Sequence, residues 1–232
     1  MSLSKLFSPN TAVAAKRERR KEARPGELLD AALDLFVEKG FAATRAEEVA
    51  ARAGVSKGTL FLYFQSKEEL FKAVVRENIS GRFTEWRAEL ESFEGSSPEL
   101  LAYCMNVWWE RVGMTRASGL TKLMMSEAKN FPELAAFYHQ EVIMPGHDLI
   151  RSILQRGMDR GEFHAMDLDY AVYVVIAPMI FLILSRHSGG VCLNSEKDLD
   201  PQKFIAHQVE TILNGISAPV ATAARAGKKA AA

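Results

Sequence analysis

Between Ser56 and Tyr63 the chain gathers hydroxyls, one ammonium and two aromatic rings within about two helical turns. At helical spacing Ser56, Lys57, Thr59, Phe61 and Leu62 share the outward side, while Leu60 faces in. This set of groups suits the edge of a DNA base pair. A lysine can meet the two acceptors of guanine, and a threonine or phenylalanine can pack on a thymine methyl. Lys57, Thr59, Phe61 and, from the preceding helix, Arg45 are the candidates for base edges, with Leu62 beside them. Thr44, Ser56, Tyr63 and Lys67 are the candidates for phosphate positioning, helped by unpaired amides at helix N-termini. Gly58 would let the backbone come close to a strand. The plainer alternative for Arg45 and Lys67 is a solvated charge at a helix cap.

Such a reading segment needs two short helices crossing closely around a tight turn. The sequence AEEVAARAGVSKGTLFLYFQ at 46–65 supplies them, with Gly54 at the turn and Ala50 small enough for close approach. Val49, Ala53, Val55 and Leu60 take the inward positions. Helix one is expected from Pro25 to Gly40, since Leu29, Ala32, Leu33, Phe36 and Val37 repeat at i, i+3, i+4, i+7 and i+8. Helix two is expected to open with a capping box from Thr44 to Glu47. Helix four is expected to open with a second box at Ser66–Glu69 and to run on through Phe83 and Trp86 to Leu90. Residues 1–24 carry Lys16, Arg17, Arg19, Arg20, Lys21 and Arg24 and read as a flexible basic arm.

The stretch TRAEEVAARAGVSKGTLFLYFQSKEEL from Thr44 to Leu70, with LDAALDLFVEKGF before it, resembles the DNA-binding domain of the TetR family. The resemblance is strongest over residues 25–72. SEAKNFPELAAFYHQEV and RGMDRGEF, further on, resemble C-terminal domains of the same family. It implies an all-α fold: an N-terminal three-helix helix-turn-helix DNA-binding domain and a larger C-terminal helical domain for ligand binding and dimerisation. It also implies a homodimeric, ligand-responsive repressor on a palindromic double-stranded DNA operator, released by a small molecule. One departure is that the family usually has Tyr where this chain has Phe61, so a phenolic phosphate donor is missing there; Tyr63 retains a hydroxyl that can replace it.

The remainder, 73–217, reads as helices near 98–113, 117–129, 132–143, 146–160, 168–187 and 201–215, punctuated by Pro132, Pro145 and Pro201, with a loop at Gly189-Gly190 and a disordered Ala-rich tail at 218–232. It is rich in adaptable apolar side chains, which favours an apolar or aromatic effector. Cys104, Met105, Trp108, Trp109, Met125, Phe137, Tyr138 and Tyr173 are the candidate ligand contacts, with Asn106 and His139 as further polar ones. For any one of them, ordinary core packing is the competing explanation. The segment 168–187 is apolar nearly all round, so it needs burial on two sides; it and 201–215 are the expected homodimer interface, with a kink at Pro178.

Composition agrees with a soluble globular chain: 232 residues, 48% hydrophobic and 25% charged. The net charge is zero but unevenly spread, with 14 basic against 10 acidic side chains in residues 1–76 and 12 against 19 in residues 77–224. A positive first part suggests a polyanionic partner. The longest apolar run, Tyr170–Leu184, is interrupted by Pro178 and shorter than the roughly 20 residues a bilayer needs, so no membrane partner is expected. With no signal-like start, and with Cys104 and Cys192 in neither metal nor disulfide spacing, a cytoplasmic location is expected, without a cofactor. Five scattered histidines, and no HExxH, CxxC or Gly-rich phosphate loop, argue against an enzyme; His164, Asp167 and Asp169 fall in a loop entering a helix. A helical interaction module that has lost DNA binding is the other alternative.

Overall fold

The computed structural model describes residues 10–188 and 199–216. The Gly189-Gly190 loop, Cys192 and the tail from 218 lie outside them. Among the described residues every regular element is helical. The elements are α1 (Asn10–Lys39), α2 (Ala46–Arg52), α3 (Lys57–Tyr63), α4 (Lys67–Asn78), α5 (Phe83–Glu91), α6 (Ser97–Trp108), α7 (Ser118–Glu127), α8 (Pro132–Tyr138), α9 (Met144–Asp159), α10 (Leu168–His187) and α11 (Pro201–Ile216).

The first four helices close around Leu28, Ala32, Phe36, Val49, Ala50, Leu60, Leu70 and Val74, all buried. Phe36, Phe41 and Phe71 form a triangle with centroids 5.4–5.6 Å apart, a spacing favourable for edge and offset contacts. Gly40 ends α1 at φ +83°, and Gly54 makes the α2–α3 turn at φ +67°. A residue with a Cβ would be strained at either place. This core does not stop at α4. Leu120, Leu123, Met124, Leu134, Phe137 and Tyr138 from α7 and α8 belong to it. A second core joins α6, α9, α10 and α11 through Leu101, Trp109, Ile153, Val175, Leu182 and Ile205.

Several local expectations need correction. Helix one begins at Asn10, not at Pro25, and continues through that proline. Helix two is capped at Arg45, whose amide donates to the Glu48 carboxylate at 3.3 Å; the Thr44–Glu47 box does not form. Ser66 does cap α4, accepting from the Glu69 amide at 3.1 Å. The fourth helix then stops at Asn78: Ile79 leaves helical geometry, a 3-10 turn spans Ser80–Arg82, and α5 starts at Phe83. Gly81 permits this break, because a Cβ there would stand 2.7 Å from the Arg76 carbonyl. Pro145 does not separate two helices either. Pro132–Asp159 is one helical run in which His139–Ile143 widens to a π turn. Proline has no amide to donate to the preceding turn, and the wider turn accommodates that defect. A second π turn, Trp109–Gly113, extends α6.

α10 has 20 residues, and an 18-residue stretch of it has a mean hydropathy of 2.1, long and apolar enough to cross a bilayer by length and composition alone. Its bounds, Leu168–His187, are those expected from the sequence. Its inner face, with Val172, Val175, Met179, Leu182 and Ile183, is buried in the second core. It runs through Pro178 without interruption.

Candidate DNA interface and ligand cavity

Ser56 sets the register of α3 by accepting the Thr59 amide at 3.1 Å, and its hydroxyl lies 2.9 Å from that of Thr59. Leu60 is buried, which turns Lys57, Gly58, Phe61 and Leu62 outward. Leu62 is 84% exposed and Phe61 39%, on a helix of otherwise ordinary composition. Large apolar side chains held in water at the tip of a structure mark a contact surface. Lys57 reaches back to Glu47 at 2.6 Å and lies 5.7 Å from the centre of the Phe61 ring. The Glu47 carboxyl is held below its usual range first by that lysine. Both partners are about half exposed, so the pair is weak and exchangeable. Arg45 is exposed at the start of α2, and Tyr63 is half-buried at the end of α3.

Two residues expected at the phosphates are engaged elsewhere. The Thr44 hydroxyl is buried and donates toward the carbonyls of Gly40 at 2.7 Å and Leu35 at 3.1 Å. The Lys67 ammonium donates to the carbonyls of Phe41, Thr44 and Ala42 at 2.8, 3.0 and 3.3 Å. It also sits 4.4 Å from the centre of the Phe41 ring. Three donors meet three acceptors, so this lysine staples the α1–α2 turn. Neither role was readable from sequence, because each depends on carbonyls brought near by folding.

Beneath the reading helices lies a cavity of about 700 Å³, within the usual range for small-molecule sites. α6, α7, the α8–α9 run and α10 wall it. Six of the eight expected ligand contacts line it: Cys104, Met105, Trp108, Met125, Tyr138 and Tyr173. Trp109 and Phe137 do not. Trp109 points into the second core, against Gly113, and Phe137 packs under Arg76 of α4. Asn106 is bound to the Ala102 carbonyl instead. The sequence reading missed Phe83, Thr121, Ala128, Val142 and His147 as lining residues, while His139 does line the wall as expected.

Among the described residues its lining carries no Asp, Glu, Lys or Arg. The hydroxyls of Thr121 and Tyr138 satisfy each other at 2.9 Å. Burial pushes the Cys104 thiol and the Tyr138 phenol up to about 12 each, so both stay neutral. His147 meets Tyr173 edge-on, with ring centres 5.1 Å apart. Its pKa is lowered by burial first and by the charge of His139 second. Asp167 caps α10, and Asp169 pairs with Arg151 at 2.7 Å. Among the described residues no group of three His, Cys, Asp or Glu side chains could hold a metal ion.

The cavity wall and the reading head are joined directly. Glu127 of α7 accepts the amides of Phe41 at 2.9 Å and Ala42 at 3.1 Å, in the turn that Lys67 holds by its carbonyls. Glu141 in the π turn receives Arg76 of α4 in a two-pronged pair at 2.5 and 2.9 Å, with Ser80 as a third donor. Arg116 pairs with Asp34 of α1.

Residues 28–74 match the family described as bacterial regulatory proteins, tetR family, and residues 99–189 match a tetracyclin repressor-like C-terminal domain. The chain is 42% identical over 87 residues to the HTH-type transcriptional regulator RutR of Escherichia coli, a stretch that covers 38% of this chain and 39% of that protein. The chain thus spans about two fifths of the length of that curated relative. Two solved structures share the fold. One is the regulator FadR of Bacillus subtilis in complex with stearoyl-CoA, at TM-score 0.67 and 19% identity over 82% of this chain and 98% of that one. The other is a regulator of Saccharomonospora viridis in complex with choline, at TM-score 0.70 and 20% identity over 86% of this chain and all (100%) of that one.

Proposed function

Because the chain belongs to the TetR family of transcriptional regulators, we propose that it is a repressor that binds a near-palindromic operator as a homodimer and leaves it when an apolar or aromatic effector fills the cavity. The observation that carries this reading is the pairing of an outward α3 face, with exposed Lys57, Phe61 and Leu62, and an apolar cavity tied to the same head by Glu127 and Glu141. Lys57 exchanges Glu47 for guanine acceptors; Thr59, Phe61 and Leu62 pack on thymine methyls; Arg45 reaches a base edge from α2. Ser56, Tyr63 and the amides of Gly58 and its neighbours meet phosphates. Thr44 and Lys67 support the turn behind them.

One reading helix covers too few bases for a selective site, and two on a symmetric dimer double it. On α10, Tyr170 and Val174 are exposed and Phe181 and Leu184 half-exposed, beside Tyr173 and Ala177, which line the cavity. This stripe, with α11 beside it, is the surface offered to a second subunit, in the cytoplasm where the operator lies. Occupancy is transmitted through α4. The effector has to favour the arrangement in which the two reading helices no longer match the operator. The stearoyl-CoA and choline bound by structural neighbours indicate that this architecture accepts chemically different effectors.

The test is binding of purified protein to DNA flanking its own gene, against unrelated duplex, across a salt series. Expected are two protomers per palindrome and a steep salt slope, with Lys57→Ala weakening specific binding by about 1–3 kcal/mol. Absence of binding to any duplex at low salt, after removal of bound small molecules, overturns the reading.

A further inference from the structure

We propose that the effector is an amphiphile with a carboxylate head, held at the cavity mouth between His139 and His147, and an uncharged hydrocarbon body in the interior. This deepens the reading of the cavity as the effector site and rests on it.

The polar groups of the wall are sorted by depth. Inside, Thr121 and Tyr138 bond each other, and the Cys104 thiol is neutral. The rest of the buried wall is aliphatic or aromatic, with Met105, Trp108, Met124, Val175 and Met179. A charge placed among them would lose its hydration without compensation, at a cost that ordinary binding does not recover. The body of the ligand is therefore uncharged.

The mouth is different. Lining residues that are also exposed are Met125, His139, Tyr173 and Ala177, and half-buried His147 adjoins them. The two imidazoles stand eight residues apart on one helical run, on either side of the widened turn, and both line this opening. Among the described residues the wall includes no carboxylate, lysine or arginine, so its imidazoles are the groups there that can take up positive charge, and each keeps an N–H to donate when neutral. That charge complements an anion.

The surroundings agree. Burial first, and charge on His139 second, disfavour charge on His147 in the unliganded site. A carboxylate between them replaces that repulsion with two attractive pairs, and each ring can give one N–H to one oxygen. On α9, Asp148 favours charge on His147 and Arg151 disfavours it. Arg151 is itself tied to Asp169 of α10. Glu141, in the same turn as His139, is committed to Arg76 and Ser80. Tyr173 of α10 offers a hydroxyl at the rim.

The experiment uses the full chain and three ten-carbon probes below their aggregation limits: decanoate, 1-decanol and decyltrimethylammonium. Binding is read from tryptophan fluorescence, since Trp108 lines the cavity. Decanoate is expected to bind at least tenfold more tightly than decanol. In a His139→Ala/His147→Ala double variant decanoate should fall to the level of decanol, while decanol keeps its wild-type affinity, which also shows that the variant is folded. Decanol binding as tightly as decanoate, decyltrimethylammonium binding best, or a decanoate preference that survives in the double variant each overturns the head assignment and leaves the apolar cavity standing. Failure of all three probes to bind overturns the cavity reading, and the head assignment falls with it.

Discussion

Lys67 offers the sharpest contrast between what its position in the sequence implies and what its surroundings require. It stands in the first turn of α4, where a lysine reads as a phosphate ligand, yet all three of its N–H groups are directed to carbonyls of the α1–α2 turn. Lys67→Met keeps most of the hydrocarbon stem and removes the ammonium. Two of the three bonds, at 2.8 and 3.0 Å, have good length, and a hydrogen bond to a charged group contributes about 1.5–3 kcal/mol. The third, at 3.3 Å to the exposed Ala42, is readily replaced by water. The contact over Phe41 adds about 0.5–1 kcal/mol at a partly exposed site. With the discount that solvent access imposes on such charges, the expected loss of stability is about 2–3 kcal/mol.

Two assays separate the staple from a phosphate contact. Urea unfolding at fixed protomer concentration should show the full loss in stability. The slope of log affinity for DNA against log salt should stay as in the wild type. A lysine neutralising one phosphate contributes about 0.9 to that slope, so losing it from both reading heads would lower the slope by about 1.8. A slope reduced by that amount with an unchanged urea midpoint would refute the reasoning.

Three further outcomes follow from other contacts. Val174→Glu puts a charge on the exposed α10 stripe; sedimentation should show a monomer with unchanged helical circular dichroism and no operator binding, and a variant that still dimerises would remove α10 from the interface. Gly119→Ala drives a methyl to 2.5 Å from Val37, where α7 crosses α1. It should cost about 1–3 kcal/mol in urea unfolding, and Val37→Ala in the same chain should restore much of it, a coupling that independent sites would lack. The Arg76 guanidinium holds the Glu141 carboxyl below its ordinary value of 4.5. A depressed folded pKa gives stability that is present above the unfolded value and lost as pH falls through the folded one. The stability advantage of wild type over Glu141→Gln should therefore shrink as the pH falls below the ordinary carboxylate range; an advantage independent of pH would assign the pair no role.

Local signals carried the reading head. The small Ala50, the turn at Gly54, the Ser56 cap and the buried Leu60 are decided within about fifteen residues, so their spacing alone locates α2 and α3. What the sequence concealed depends on distant partners. Thr44 and Glu47 have the spacing of a capping box, but the carbonyls of Leu35 and Gly40 take the hydroxyl and Lys57 takes the carboxylate. In the cavity the aromatic composition was visible and its direction was not: Trp108 and Trp109 are adjacent, about 100° apart around the helix, and only the first faces the cavity. His147 was overlooked because it follows Pro145, which reads as the end of a helix. The π turn keeps the run continuous and brings His147 to the same opening as His139.

The turn from Gly40 to Thr44 explains why cavity and reading head act as one mechanical unit. Its amides are held by Glu127 and its carbonyls by Lys67, so α7 and α4 grip the same few peptide groups from opposite sides. α7 also supplies Thr121, Met124, Met125 and Ala128 to the cavity wall. From Thr121 to Glu127 is about 9 Å along a helix, less than two turns, over which a helix moves as a rigid rod. Pressure on those wall residues is therefore delivered to the Glu127 carboxylate. A shift of about 1 Å takes both amide bonds, now 2.9 and 3.1 Å, beyond useful hydrogen-bonding distance. Two bonds to a charged acceptor represent a few kcal/mol, and coupling between effector and DNA sites in such proteins is typically about 1–3 kcal/mol. On the proposed reading, such a clamp is strong enough to hold the head in place when the cavity is empty and weak enough for a ligand of ordinary affinity to release it.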